Sequence, residues 1–178
     1  MTTSRRALLW RGVSLVAAAA IPLPARAACA PPETLVEMRG MPRGERVWFA
    51  PIGVALAPGG TIRFTNRDPG NSHTATTYHP SILDRPLRIP KDAAPWDSGL
   101  LLEGGSFAVT LTVPGVYDIY CQPHEMAGMV ARLVVGRPGP GEEWQAAPVA
   151  DGDLPEAARA AFPAVADILA RGAISPEG

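Results

Sequence analysis

Apolar and polar residues alternate with a period of two over several short runs, the pattern of strands with one buried face. Between Thr61 and Asn66, Ile62 and Phe64 face one way and Arg63 and Thr65 the other. From Ser106 to Val113, Phe107, Val109, Leu111 and Val113 share a face. Leu35–Met38, Val47–Phe49 and Ile52–Leu56 are further strand candidates, the last two broken by Pro51. His73–Thr77 reads as a short β-branched strand with His73 at its entrance, and Val116–Tyr120 and Val130–Val135 as two more strands. Turn residues punctuate these runs at Gly40–Glu45, at Pro58-Gly59-Gly60, over Arg67–Ser72 and at Pro114-Gly115. Short strands with turns about every 8–12 residues predict an all-β sandwich or barrel.

Two stretches depart from this pattern. Residues 78–97 hold four prolines and no regular period, so they read as a long surface connection with room for one short helical turn. Beyond Gly136, Arg137–Gly141 is a Pro/Gly linker. Asp153-Leu154-Pro155-Glu156 then has the form of a helix start, with an Asp cap and an early Pro. The first helix runs from Leu154 to about Phe162, where Pro163 follows. A second, with Val165, Ile168 and Leu169 on one face, ends at Gly172. Two such short helices are marginal unless they dock on something.

Composition adds an address. The 178-residue chain has 20 Pro and 18 Gly and a net charge of -1. The first 27 residues contain Arg5, Arg6, Arg11 and Arg26 and no acid, whereas residues 138–178 carry seven acids against two arginines. The part between is neutral, so no basic face for nucleic acid is expected. Arg5, Arg6 and Arg11, the apolar Val13–Ile21 and the Ala25-Arg26-Ala27 site make an export signal. Ser4-Arg5-Arg6-Ala7-Leu8-Leu9 is similar to a twin-arginine signal. The apolar stretch, ended by Pro22 and Pro24, is too short to span a bilayer, which takes about 20 residues. The expected organisation is an export signal over 1–27, a β domain over 28–137 and an acidic linker and helical tail over 138–178. The mature chain is expected in a bacterial periplasm, without stable membrane insertion. There, Cys29 and Cys121 could pair as a disulfide. Cys29 could also stay free or be lipidated, although Arg26 stands where a lipobox wants an aliphatic residue.

The chemistry concentrates between the last two β-domain strands. Cys121, His124 and Met129 lie within nine residues, on a loop stiffened by Pro123 and released by Gly128. Soft thiolate and thioether ligands suit Cu(I), and imidazole suits both oxidation states. Two His and one Cys with a weak axial Met form a type 1 copper set, and His73 is the candidate for the missing imidazole. Taken singly, each residue has a plainer reading: a Cys-x2-His pair by chance, a core Met, a solvated His. A structural zinc site is the main rival metal, but zinc is held by Cys, His and carboxylate rather than Met. His79 is read as a loop residue.

The stretch Gly115-Val116-Tyr117-Asp118-Ile119-Tyr120-Cys121-Gln122-Pro123-His124, followed by Ala127-Gly128-Met129-Val130, resembles the copper loop of plastocyanin and pseudoazurin. Phe49-Ala50-Pro51 and Pro58–Asn66 resemble early strands of the same family. The resemblance covers about residues 33–136 and implies a cupredoxin Greek-key β-sandwich holding one mononuclear copper. By motif position it implies His73, Cys121, His124 and Met129 as ligands. It also implies His124 as the electron port, in an apolar patch where a redox donor and acceptor dock, and marks Tyr120 as a second route. Many members have Asn after the first His, tying the two ligand loops together, whereas this chain has Thr74. The implied function is a monomeric periplasmic electron carrier. A copper-delivery protein is the alternative. A copper enzyme fits poorly, because it needs a second site and the chain has only three histidines.

Overall fold

A computed structural model of the chain describes residues 33–42, 45–148 and 152–176. The expected signal segment and Cys29 lie outside the described residues.

Two sheets face each other. The first has the order β2 (Val47–Ala50), β1 (Glu33–Gly40), β4 (Gly60–Asn66) and β6 (Ser106–Leu111). The second runs β5 (Thr76–Thr77), β7 (Gly115–Tyr120), β8 (Val130–Val135), β3 (Gly53–Leu56) and β9 (Ala173–Ile174). β1 with β4 and β3 with β8 are parallel pairs, and the other strand pairs are antiparallel. The period-two pattern explains the layering. Val36, Met38, Phe49, Ile62 and Phe64 from the first sheet meet Tyr117, Ile119, Ala131, Leu133 and Val135 from the second in one core. This is an all-β sandwich, one of the two architectures that the alternation predicts and the one that the resemblance implies.

β8 is buried at every position, so its outer face is covered as well. The cover is the C-terminal segment. Val130 and Tyr120 pack with Leu154 and Ala158, and Val134 packs with Val165, Ile168 and Ile174. Helices α1 (Glu156–Ala161) and α2 (Val165–Arg171) thus dock on the second sheet, and β9 extends it beside β3. Burying a Leu, Ile or Val side chain stabilises by about 1.5–3 kcal/mol, which offsets the weakness of two short helices.

A buried ion cluster fastens this layer. Asp118 on β7 accepts hydrogen bonds from Arg88 (Nε at 2.9 Å, Nη2 at 2.5 Å) and Arg132 (Nε at 2.7 Å, Nη2 at 3.1 Å). Each arginine then donates to the tail, Arg88 to the Ala147 carbonyl and Arg132 to that of Pro163. The Phe162 ring lies against both guanidinium groups.

Some expectations are corrected. Only Thr76–Thr77 of the expected 73–77 strand is regular, because His73 pairs instead with Leu101 across an isolated bridge. The N-cap position of α1 is Pro155, without a side-chain bond, rather than Asp153. Residues 78–97 form no helix, only single turns such as that closed by the Ala93 N–H on the Pro90 carbonyl, and are more than a surface connection: Tyr78, Arg88, Ile89 and Trp96 are buried.

Candidate metal centre

Strands β7 and β8 end together, and the loop between them is closed by its own backbone. The Cys121 N–H donates to the Met129 carbonyl (3.0 Å) and the Met129 N–H to that of His124 (3.1 Å). In between, Gln122–Ala127 forms a 3-10 helix with Pro123 in its first turn, where the missing N–H costs nothing. His124 N–H donates to the Cys121 carbonyl at 3.0 Å, which turns both side chains to the same side. Gly128 ends the helix at φ +79°, and a Cβ there would sit 3.0 Å from the Ala157 carbonyl oxygen, so the loop and the tail meet at a residue without a side chain.

The second loop brings His73. Its N–H and carbonyl both pair with Leu101, at 3.1 and 2.8 Å. Asn66 braces the loop by donating Nδ2 to the carbonyls of Asn71 and Leu101, both at 2.8 Å. His73 Nδ1 lies 3.1 Å from His124 Nδ1 and 3.6 Å from Cys121 Sγ, and His124 Nδ1 lies 3.4 Å from Cys121 Sγ. The three donor atoms thus lie within 3.6 Å of one another, close enough to serve a single ion. His73 and Cys121 are fully buried, and His124 is half-buried. Met129 is fully buried in the same core cluster as Cys121. His79 is apart from the trio, in a turn where its Nδ1 bonds Ser81.

The local electrostatics suit a soft cation. Burial pushes the Cys121 thiol up to about 11, against the Thr74 N–H, which donates to Sγ at 3.3 Å. Burial also holds both imidazoles below their ordinary value, with His73 adding to the effect at His124. Neutral imidazoles keep their lone pairs for a metal, and a bound metal takes the place of the thiol proton. A thiolate and two imidazoles are donors that a type 1 copper site uses, and Met129 joins them through the backbone bond between its carbonyl and the Cys121 N–H.

Thr74 makes the tie that Asn makes elsewhere. Its hydroxyl accepts the Gln122 N–H (2.8 Å) and the Thr76 hydroxyl (2.9 Å), joining the two ligand loops through a side chain of different chemistry. Tyr120, marked as a second route, is 2% exposed. Tyr78 stacks on it at 4.3 Å between centroids, Arg85 lies over both rings, and the tail packs against it. Sequence reasoning also passed over Asp68. Its carboxylate is 3.1 Å from His73 Nε2, but in sequence it is one more polar residue of a Pro/Gly loop. Burial works to raise this carboxyl, and hydrogen bonds from Asn71, Gly70 and His73 outweigh it and hold the group below its ordinary value.

A family model described as copper binding proteins, plastocyanin/azurin family, matches residues 36–136. The chloroplastic plastocyanin of Hordeum vulgare is 34% identical over 87 residues, which is 49% of this chain and 54% of that one. The plastocyanin of Ulva pertusa is 32% identical over 87 residues, 49% of this chain and 85% of its own. The chain spans about half the length of these chloroplastic plastocyanins (50–57%). Among solved structures, a Sinorhizobium pseudoazurin superposes with a TM-score of 0.50 at 26% identity, covering 72% of this chain and 89% of that one. The sandwich, the Cys–His–His trio and the family match lead to one conclusion: this chain belongs to the plastocyanin/azurin family of copper-binding proteins.

Proposed function

We propose that the protein carries single electrons between redox proteins in a bacterial periplasm, through one copper held by His73, Cys121, His124 and Met129, and that it is not an enzyme. The observation that carries this reading is the convergence of Cys121 Sγ and two imidazole Nδ1 atoms within 3.6 Å of one another. A bound copper supplies the one-electron change between Cu(I) and Cu(II). The chain's part is to hold the donors in one arrangement, exclude water and present an exit. The closed 121–129 loop and the Thr74 tie serve the first task, and the burial of His73, Cys121 and Met129 serves the second.

His124 is the exit. It is half-buried, on a loop that exposes Pro123 and Met126, the latter 77% exposed. Leu100 and Leu102, which flank the Leu101 that pairs with His73, are also exposed. These residues support an apolar docking face for a donor and an acceptor, reached by a monomer. Periplasmic delivery rests on the 1–27 export signal, with 28–137 as the copper domain and 138–178 as its tail. No helix among the described residues is long and apolar enough to cross a membrane.

The test is the absorption spectrum of the exported protein with Cu(II). An intense blue band is expected, and a colourless, zinc-loaded protein would sink the reading. Copper delivery is the competing function. It needs donors that an acceptor can reach, whereas His73, Cys121 and Met129 are each 0% exposed. Fast self-exchange with retained copper is therefore expected, and ready loss of Cu(I) to an acceptor protein would favour delivery.

Met129→Leu is nearly isosteric. It should keep the blue band and shift the reduction potential, because the Met129 thioether would tune a bound copper while the Cys121 thiolate would supply the colour. An unchanged potential would reduce Met129 to core packing.

A further inference from the structure

We propose that Asp68 is a positioning residue of the copper site: its buried carboxylate fixes the His73 tautomer and favours Cu(II) over Cu(I). The inference rests on His73 and Cys121 holding the copper.

A carboxylate only accepts, so the His73 Nε2 that lies 3.1 Å from Asp68 Oδ2 must carry the ring hydrogen. That leaves Nδ1 as the lone-pair atom, and Nδ1 is the atom that faces Cys121 Sγ and His124 Nδ1. The carboxylate is itself held. Oδ1 accepts the Gly70 N–H and Oδ2 accepts Asn71 Nδ2, both at 2.8 Å, and the Asp68 N–H donates to Asn66 Oδ1 at 2.8 Å. Asn66 is also the residue that braces the Leu101 partner of His73. The Gly70 N–H and Asn71 Nδ2 both donate to the carboxylate, and the residue is 1% exposed, so a buried carboxylate held by donors sits across the imidazole ring from His73 Nδ1. A full negative charge there makes the imidazole a stronger donor, and it favours the more positive metal ion.

The first sheet accommodates this arrangement. A Cβ built on Gly40, at the end of β1, would lie 1.8 Å from Asp68 Oδ2. The glycine leaves the space that the carboxylate oxygen bonded to His73 occupies. The plainer role for Asp68 is the turn at Gly70, but that uses Oδ1, whereas His73 is met by Oδ2.

The test compares the copper-loaded wild-type chain with Asp68→Asn and Gly40→Ala. Both variants should stay blue. In Asp68→Asn the affinity for Cu(II) should fall about 10–100-fold. Cu(I) affinity should fall less, and the potential should rise by about 59 mV for each tenfold difference between the two. Gly40→Ala keeps the charge but displaces it, and should move the potential in the same direction. Nitrogen-15 NMR of the wild-type Cu(I) form should show a His73 Nε2 proton protected from exchange with water. A blue Asp68→Asn protein with the wild-type potential would overturn the proposal. So would a wild-type His73 lacking the Nε2 proton, and that measurement decides even if a variant fails to fold. A wild-type protein that binds Cu(II) without turning blue would overturn the ligand reading itself, and this proposal with it.

Discussion

Cys121→Ser should lose the blue band completely while the sandwich stays folded. The colour arises from charge transfer out of a thiolate, and neither a serine hydroxyl nor the two imidazoles can replace that donor. The sulfur of Cys121 is 0% exposed, 3.4 and 3.6 Å from the two ring nitrogens and fixed by the Thr74 N–H. Oxygen is a harder ligand with a far higher pKa, so the variant should hold Cu(I) poorly, and any Cu(II) it binds should be pale. The substitution is small and changes no strand hydrogen bond, so the fold should survive. Absorption and electron paramagnetic resonance spectra, with copper content and circular dichroism, check the point. A folded Cys121→Ser protein that remained intensely blue would show that the chromophore lies elsewhere.

Asp118→Ala should destabilise the protein by about 3–5 kcal/mol, the cost of leaving buried charge uncompensated. Arg88 and Arg132 are 4% and 7% exposed, and Asp118, at 1%, is the carboxylate they share. Removing it sets two guanidinium groups against each other in a dry layer. The damage should not stop there, because the same arginines hold the Ala147 and Pro163 carbonyls and flank Phe162. The tail should loosen, exposing the outer face of β8 and the Tyr78–Tyr120 pair. Urea unfolding measures the loss, and limited proteolysis between residues 138 and 176 reads the release. A buried ion cluster need not be more stabilising than an apolar replacement, so changing all three residues to apolar ones of similar size should cost much less than Asp118→Ala alone. A single-variant loss under about 1 kcal/mol would mean that water reaches the cluster.

The tail is where sequence reasoning and structure diverge most. Its two helices were legible from Val165, Ile168 and Leu169 and from Gly172, but not what they cover. Asp118 and Arg132 stand inside strand-like runs where nothing local marks them as partners, although Val130–Val135 hardly alternates, itself a sign of burial on both faces. Docking the tail converts an expected acidic appendage into a structural layer. It also shuts Tyr120 away from solvent, leaving His124, half-buried, as the one residue of the trio that is not fully buried.

The chain order alone specified an all-β sandwich or barrel and the loop that carries Cys121, His124 and Met129, with His73 as the candidate for the missing imidazole. Alternation with period two is a local property, and the spacing of Cys121, His124 and Met129 around Pro123 and Gly128 lies within one turn. The tertiary structure decided what depends on distant segments meeting. His73 and His124 are 51 positions apart, and only the packing of two loops brings their Nδ1 atoms to 3.1 Å. The Asp68–His73 contact, the Thr74 tie and the Arg88–Asp118–Arg132 cluster have the same origin. A polar residue's partner is set by sheet order and register, which no local spacing encodes.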